Sequence, residues 1–498
     1  MMILSIFSVL ALAAPNPNPR ALVDSAIAAV QRSTSLNSFH SLRLVGMQHE
    51  FLLGNAERSE GPWRTSYAQF TELRDIDSPS LRRAEFGLSP NGTRSAERVT
   101  TLTDSVIAGT VNGRQTGMSH AFFEDMIDRV DGSPERVLTL ARNSRQLRFE
   151  QTLKRFGNSY DVVVFPWRNG RMRLEINAET HLPEAVAIVR PYTDNVRWVI
   201  FGDVTMRTEF LDWNVMPSGA LWPMQMKTTL NGEPLRDITY SSAAFSTDAA
   251  PPDSFAISDS ARIQFAAASK MNFSKFRYGM RGQSSELAPG IVRVPDQWTQ
   301  TLVKQSDGVV IFEAHISAQY LHDVIGEARR RWPNAPIKAI VMTSDPWAHL
   351  GGFREAIALG IPIYVSAGSV PFLTSISKMP YTLAPDSLSK SKRAPKFVPV
   401  SQKTVIGSGE NRIELYPVRG SYAERMLMAY FPDKKLLYGA DLVFPNRGTD
   451  GKFTKGFFPT PALDLTRAVG REKLAVDAVF CVQNYPAFAW SAFTEQSS

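Results

Sequence analysis

The chain has 498 residues, 43% hydrophobic and 21% charged, with 55 Lys and Arg against 48 Asp and Glu for a net charge of +7. That length supplies two or three domains with cores of their own, the composition excludes disorder, and so small a charge excess gives a nucleic acid no footprint. A single cysteine, Cys481, excludes an intramolecular disulfide framework; within Ala478-Val479-Phe480-Cys481-Val482 it reads as an inert core thiol.

The run from Met1 to Ala14 is apolar, ends in small residues and is followed by Pro15, Asn16, Pro17, Asn18 and Pro19. It reads as a signal peptide over residues 1–14, which makes the protein secreted or periplasmic. It is shorter than the roughly 20 residues that span a bilayer, and no later run is long enough, so no transmembrane segment is expected beyond it.

Residues 20–245 form a β-rich N-terminal domain. Short alternating runs separated by turn residues, among them Ser159 to Phe165, Met172 to Ile176, Ala185 to Val189 and Trp198 to Phe201, predict antiparallel strands. Helical periodicity is confined to places such as Ala21 to Arg32 and His120 to Arg129. The stretch from Met172 to Pro183, strand then turn then strand, resembles the curved half-barrel sheets of the LolA-like lipoprotein carriers. That resemblance implies an alternative function, lipid or acyl-chain binding through the N-terminal sheet. The Pro-, Asp- and Ser-rich residues 246–260 are assigned to a linker.

Residues 261–498 change pattern. Strands at Ile291 to Val294, Thr301 to Val303 and Gly308 to Phe312 lead into a helix over Ala318 to Arg331 and a strand over Ile337 to Met342, an alternation that predicts an α/β layered domain. Further units follow at Ala356 to Val365, Ile413 to Pro417, Arg425 to Phe431 and Lys435 to Tyr438. The basic run Lys390 to Lys396 lies among Ser and Pro without interleaved aromatics and reads as solvated surface.

The segment Ile340 to Phe353, IVMTSDPWAHLGGF, has the form of strand, turn and helix start. It resembles the signature loop of the metallo-β-lactamase superfamily, T-H-x-H-x-D-H-x-G-G. Leu287 to Val294, Asp307 to Glu313 and Pro432 to Asp441 resemble that family's first strand, its next strand and the strand bearing its metal-bridging aspartate. The resemblance implies an αββα sandwich for the C-terminal domain, so the fold class is α+β or α/β. Laid on the motif, Ser344, Pro346 and Ala348 replace His, His and Asp, while Thr343, His349, Gly351 and Gly352 remain. None of the seven histidines lies after His349; Tyr422 and Gln483 stand at the two later ligand positions. His349 and Asp441 are therefore the residual metal ligands that the family frame leaves.

A hydrolytic metal centre needs about three protein ligands per ion and an open position for water. The expected function is accordingly that of a metallo-β-lactamase-fold protein that has lost dinuclear hydrolysis and keeps a binding role, with Ser344, Trp347, Tyr422 and Gln483 lining the pocket and an unknown small molecule or lipid as partner. No cofactor is expected, and zinc only where the residual site closes on an ion. The enzyme alternative is a hydrolase with one metal at His349 and Asp441, or one acting through Asp345 or Tyr422. Glu313 and His315 offer a makeshift ligand set with His349 and Asp441; His322 reads as helix surface.

Overall fold

The computed structural model describes residues 16–32, 38–54, 58–88, 94–191, 200–268, 283–295, 298–420, 424–444, 446–447, 453–454, 459–483 and 485–497. The proposed signal peptide and Tyr422 lie outside them. Among the described residues no helix is long and apolar enough to cross a membrane.

The N-terminal strands join in one antiparallel sheet of thirteen. Two meanders build it: the six strands from Ser41–Phe51 to Arg114–Gly117 form one wing, and the seven from Arg148–Arg155 to Glu233–Ser246 form the other. They join at the centre because the first strand pairs with the last, Ser41 opposite Ser246. The helices Pro19–Gln31, His120–Asp131 and Pro134–Asn143 pack their apolar stripes, including Val23, Val30, Ile127 and Leu138, into the core of this domain. Buried ion pairs fasten helix to sheet: Arg74, paired with Glu72 of its own strand at 2.6 Å, reaches Glu135 at 2.9 Å, and Arg190 reaches Glu124 and Asp128 at 2.7 and 2.5 Å. The cavity left between helix His120–Asp131 and the sheet, lined by Arg129, Arg236, Ile188 and Met206, measures about 20 Å³. That holds about one water.

Of the expected strand Trp198 to Phe201, Trp198 and Val199 lie outside the described residues, and Ile200 and Phe201 are not in a strand: the Ile200 carbonyl accepts from the Tyr381 hydroxyl at 2.8 Å and Phe201 packs edge-on to Trp347 at 5.2 Å, so these two residues serve the contact between domains. Residues 246–260, assigned to a linker, carry a short turn and the start of a helix. Pro252–Phe255 is a short 3₁₀ turn, and the helix that follows, Asp259–Ala268, lies so close on the sheet edge that a Cβ on Gly117 would fall 2.3 Å from the Ala261 carbonyl.

Among the described residues, the C-terminal region has two larger sheets and a two-stranded pair, Asn446–Arg447 with Phe453–Thr454. Four antiparallel strands, Ser285–Ala288 to Gly308–Phe312, continue through three parallel ones, Ile337–Val341, Ile363–Ser366 and Phe397–Val400. The second sheet has six strands, with Ile413–Val418 and Met426–Phe431 paired antiparallel near its middle. Strand residues alternate between two cores: Val310, Phe312 and Val341 point to the second sheet, whereas Val309, Ile311 and Ile340 point to the helices. Burial on both faces is why these strands are unbroken apolar runs. The outer core continues into the N-terminal domain without interruption.

Candidate functional site

The parallel strands Gly308–Phe312 and Ile337–Val341 end side by side, and the chain turns sharply after each. Glu313 sits at φ +73° with its N–H on the Val341 carbonyl, and the β-branched Ile316 at φ +68°. Such backbone costs of order 1–3 kcal/mol per residue and is kept where surroundings over-determine it. Here the surroundings are the two glycines of the loop. The Gly352 N–H donates to the Ala314 carbonyl at 2.7 Å, and a Cβ on Gly351 would fall 2.2 Å from the Ile316 carbonyl oxygen. The glycine pair thus cradles the turn that carries His315.

Glu313, His315 and His349 each offer a ligand atom, all within 4.8 Å of one another, and all three residues are buried. The Glu313 carboxylate accepts from the Thr343 hydroxyl and backbone N–H and from the Tyr438 hydroxyl at 3.1 Å. His315 Nε2 lies 3.1 Å from the Thr299 carbonyl, and among the described residues its Nδ1 has no hydrogen-bond partner. His349 occupies the 3₁₀ turn Trp347–Leu350, with Nδ1 3.2 Å from Ser344 Oγ and 3.9 Å from Glu313 Oε2, and with Trp298 stacked on its ring. Asp441 arrives from the turn after strand Leu436–Tyr438 and lies 2.6 Å from His349 Nε2; the Gln483 amide donates to its other oxygen at 3.3 Å. The structure therefore brings together Glu313, His315, His349, Asp441 and Gln483. His322 does not join them, half-exposed and paired with Glu355.

Burial alone would push His349 down, yet Asp441 and Glu313 outweigh it and hold the imidazole up at about 10. Burial pulls His315 down to about 4, with the charge of His349 adding to the effect. At neutral pH the site holds an imidazolium–carboxylate pair beside a neutral imidazole. That bears on metal binding in two ways. An imidazolium offers no lone pair, and ligands on tetrahedral zinc, each about 2.0–2.1 Å from the ion, stand roughly 3.3 Å apart, whereas these two are in direct contact. With Ser344, Pro346 and Ala348 in the loop, the donor set does not fit a dinuclear centre. The unpartnered Nδ1 of His315 fits one ion held by Glu313, His315 and His349, provided His349 releases its proton and Asp441.

The remaining candidates are placed as follows. Asp345 is buried and engaged with both domains: Ser59 donates to its carboxylate at 2.8 Å and Arg425 Nε lies 3.2 Å from it. Burial raises its pKa against the pull of Arg425 and Ser59. Trp347 does not line an open cleft. It is buried, its backbone N–H donates to the Gly54 carbonyl at 3.2 Å, and a Cβ on Gly54 would fall 2.0 Å from its ring. Ser344 is buried against His349. Burial pushes the Cys481 thiol up to about 12, which leaves it inert. Arg425, Trp298 and Ser59 were not legible as site residues, because no motif marks them and only the folded chain brings them to the loop.

No match was found among protein-family models or curated proteins. Solved structures similar to this chain include a metallo-beta-lactamase from Pontibacter korlensis, at 16% identity over 43% of this chain and 96% of the other with a TM-score of 0.32. A metallo-beta-lactamase from Erythrobacter litoralis follows at 12% identity over 43% and 93%, with a TM-score of 0.32. The sec-alkylsulfatase Pisa1 from Pseudomonas sp. follows at 14% identity over 43% and 40%, with a TM-score of 0.32. Each of these likenesses covers less than half of this chain, at low identity.

Proposed function

We propose that the C-terminal domain is a metallo-β-lactamase-like sandwich that has given up dinuclear metal hydrolysis and serves to bind a small molecule beside the former metal loop. The contact that carries this reading is His349 Nε2 on Asp441 at 2.6 Å, where the two surviving ligands neutralise each other. The apolar run Met1 to Ala14 supports export, so the protein works in the periplasm or outside the cell. Elemental analysis of full-length protein prepared without chelator tests the reading. Zinc and iron are expected well below one equivalent, with no turnover of ester, thioester or lactam substrates; near-stoichiometric metal together with turnover sinks it.

A second reading is favoured by the unpartnered His315 Nδ1, namely a hydrolase with one ion at Glu313, His315 and His349. It requires bound metal that disappears in His315→Ala, while the parent and the variant keep the same circular dichroism.

A further inference from the structure

A cavity of about 320 Å³ opens where the two domains meet, within the range of small-molecule pockets. The N-terminal domain supplies Arg58 and Glu60, from the connection between strands Ser41–Phe51 and Thr65–Asp75. The C-terminal domain supplies Ser366 and Ser401 at the ends of two parallel strands, and Arg419, Glu424 and Arg425 from the connection between Ile413–Val418 and Met426–Phe431. Arg425 reaches Asp345, which lies within the loop Ile340 to Phe353, where its neighbour Ser344 touches His349. Arg425 thus joins the cavity wall to the loop that carries His349.

Its charges do not cancel. Glu60 is spent on Arg425, at 3.0 and 2.6 Å to the two terminal nitrogens, and Glu424 on Arg58, at 2.8 and 3.0 Å. Arg419 is left over. It is exposed in the cavity wall and, among the described residues, makes no hydrogen bond or ion pair. The hydroxyls of Ser366 and Ser401 line the same space. A guanidinium presents a planar fork of donors matched to the oxygens of phosphate and carboxylate groups. The two paired arginines hold the wall in place and leave Arg419 to meet a ligand.

We propose that this cavity binds a small oxyanion-bearing molecule of about sugar-phosphate or tricarboxylate size, with Arg419 recognising the charge and Ser366 and Ser401 donating from their hydroxyls. The proposal rests on the binding reading above, but metal content decides that reading and ligand titration decides this one. Calorimetric titration of the full chain at low salt with glucose 6-phosphate, citrate and glucose tests it. At least one anion binds at least tenfold tighter than glucose, and the one that binds tells phosphate from carboxylate. Arg419→Ala weakens that binding at least tenfold with an unchanged melting temperature, and Arg419→Lys restores part of it. Failure of both anions to bind at millimolar concentration, equal binding of glucose, or full binding by Arg419→Ala overturns the proposal.

Discussion

At the residue scale, the two glycines of the loop are fixed by packing. Gly351 has ordinary helical backbone angles, so any residue fits its conformation, yet a Cβ there meets the Ile316 carbonyl at 2.2 Å. Backbone cannot swing away as a side chain can. Gly351→Ala is expected to destabilise the protein by about 1–3 kcal/mol, the usual cost of overpacking, read as a lower midpoint in urea. An unchanged midpoint would mean that the turn bearing Glu313 and His315 yields. His349 and Asp441 were legible as partners from the motif alone, and the structure brings them to 2.6 Å. Their engagement with one another was not legible, because it depends on the distance between two loops more than 90 residues apart in sequence.

At the element scale, patterned segments read well and short ones did not. The helix Ala318–Arg331 has the expected bounds: Ser317 caps it by accepting from the Tyr320 N–H at 3.1 Å, and Arg329, Arg330 and Arg331 sit at its C-terminal end, where cations suit the helix dipole. Helix Pro134–Asn143 offers only Val137, Leu138 and Ala141 as buried aliphatic positions, too few to stand out as a stripe. Glu327 gives the long helix a pH dependence. Burial opposes its charge, but Arg330, Ser284 and Arg331 more than compensate and hold its pKa at about 2, below its ordinary 4.5. A lowered carboxylate contributes stability that is complete above the unfolded value and is lost as pH falls through the folded one. The stability difference between the parent and Glu327→Gln should hold steady above pH 4.5 and shrink from there toward pH 2. Urea unfolding at several pH values measures it, and a difference that grows on acidification would contradict the assignment.

At the scale of the whole molecule, the domains share a core and a latch. Trp347 packs against Gly54 and Phe201 of the N-terminal domain, while Ser59 and Glu60 reach Asp345 and Arg425. Removing a buried tryptophan costs about 3–5 kcal/mol, so Trp347→Ala is expected to lower the unfolding free energy by that order. Because the loss falls between domains, it should also raise amide exchange at residues 52–54 and 200–201; exchange confined to the C-terminal domain would show that the domains are not coupled there. By itself the sequence determined the longer patterned strands and helices of both regions and a loop that resembles the metallo-β-lactamase motif, because periodicity and motif spacing are local properties of the chain. Only the tertiary structure decided that His349 closes on Asp441, that Trp347 is a wedge between domains, and that an arginine-lined cavity lies beside the old loop. Those outcomes depend on side chains far apart in sequence, whose distances and desolvation are set by how the sheets pack.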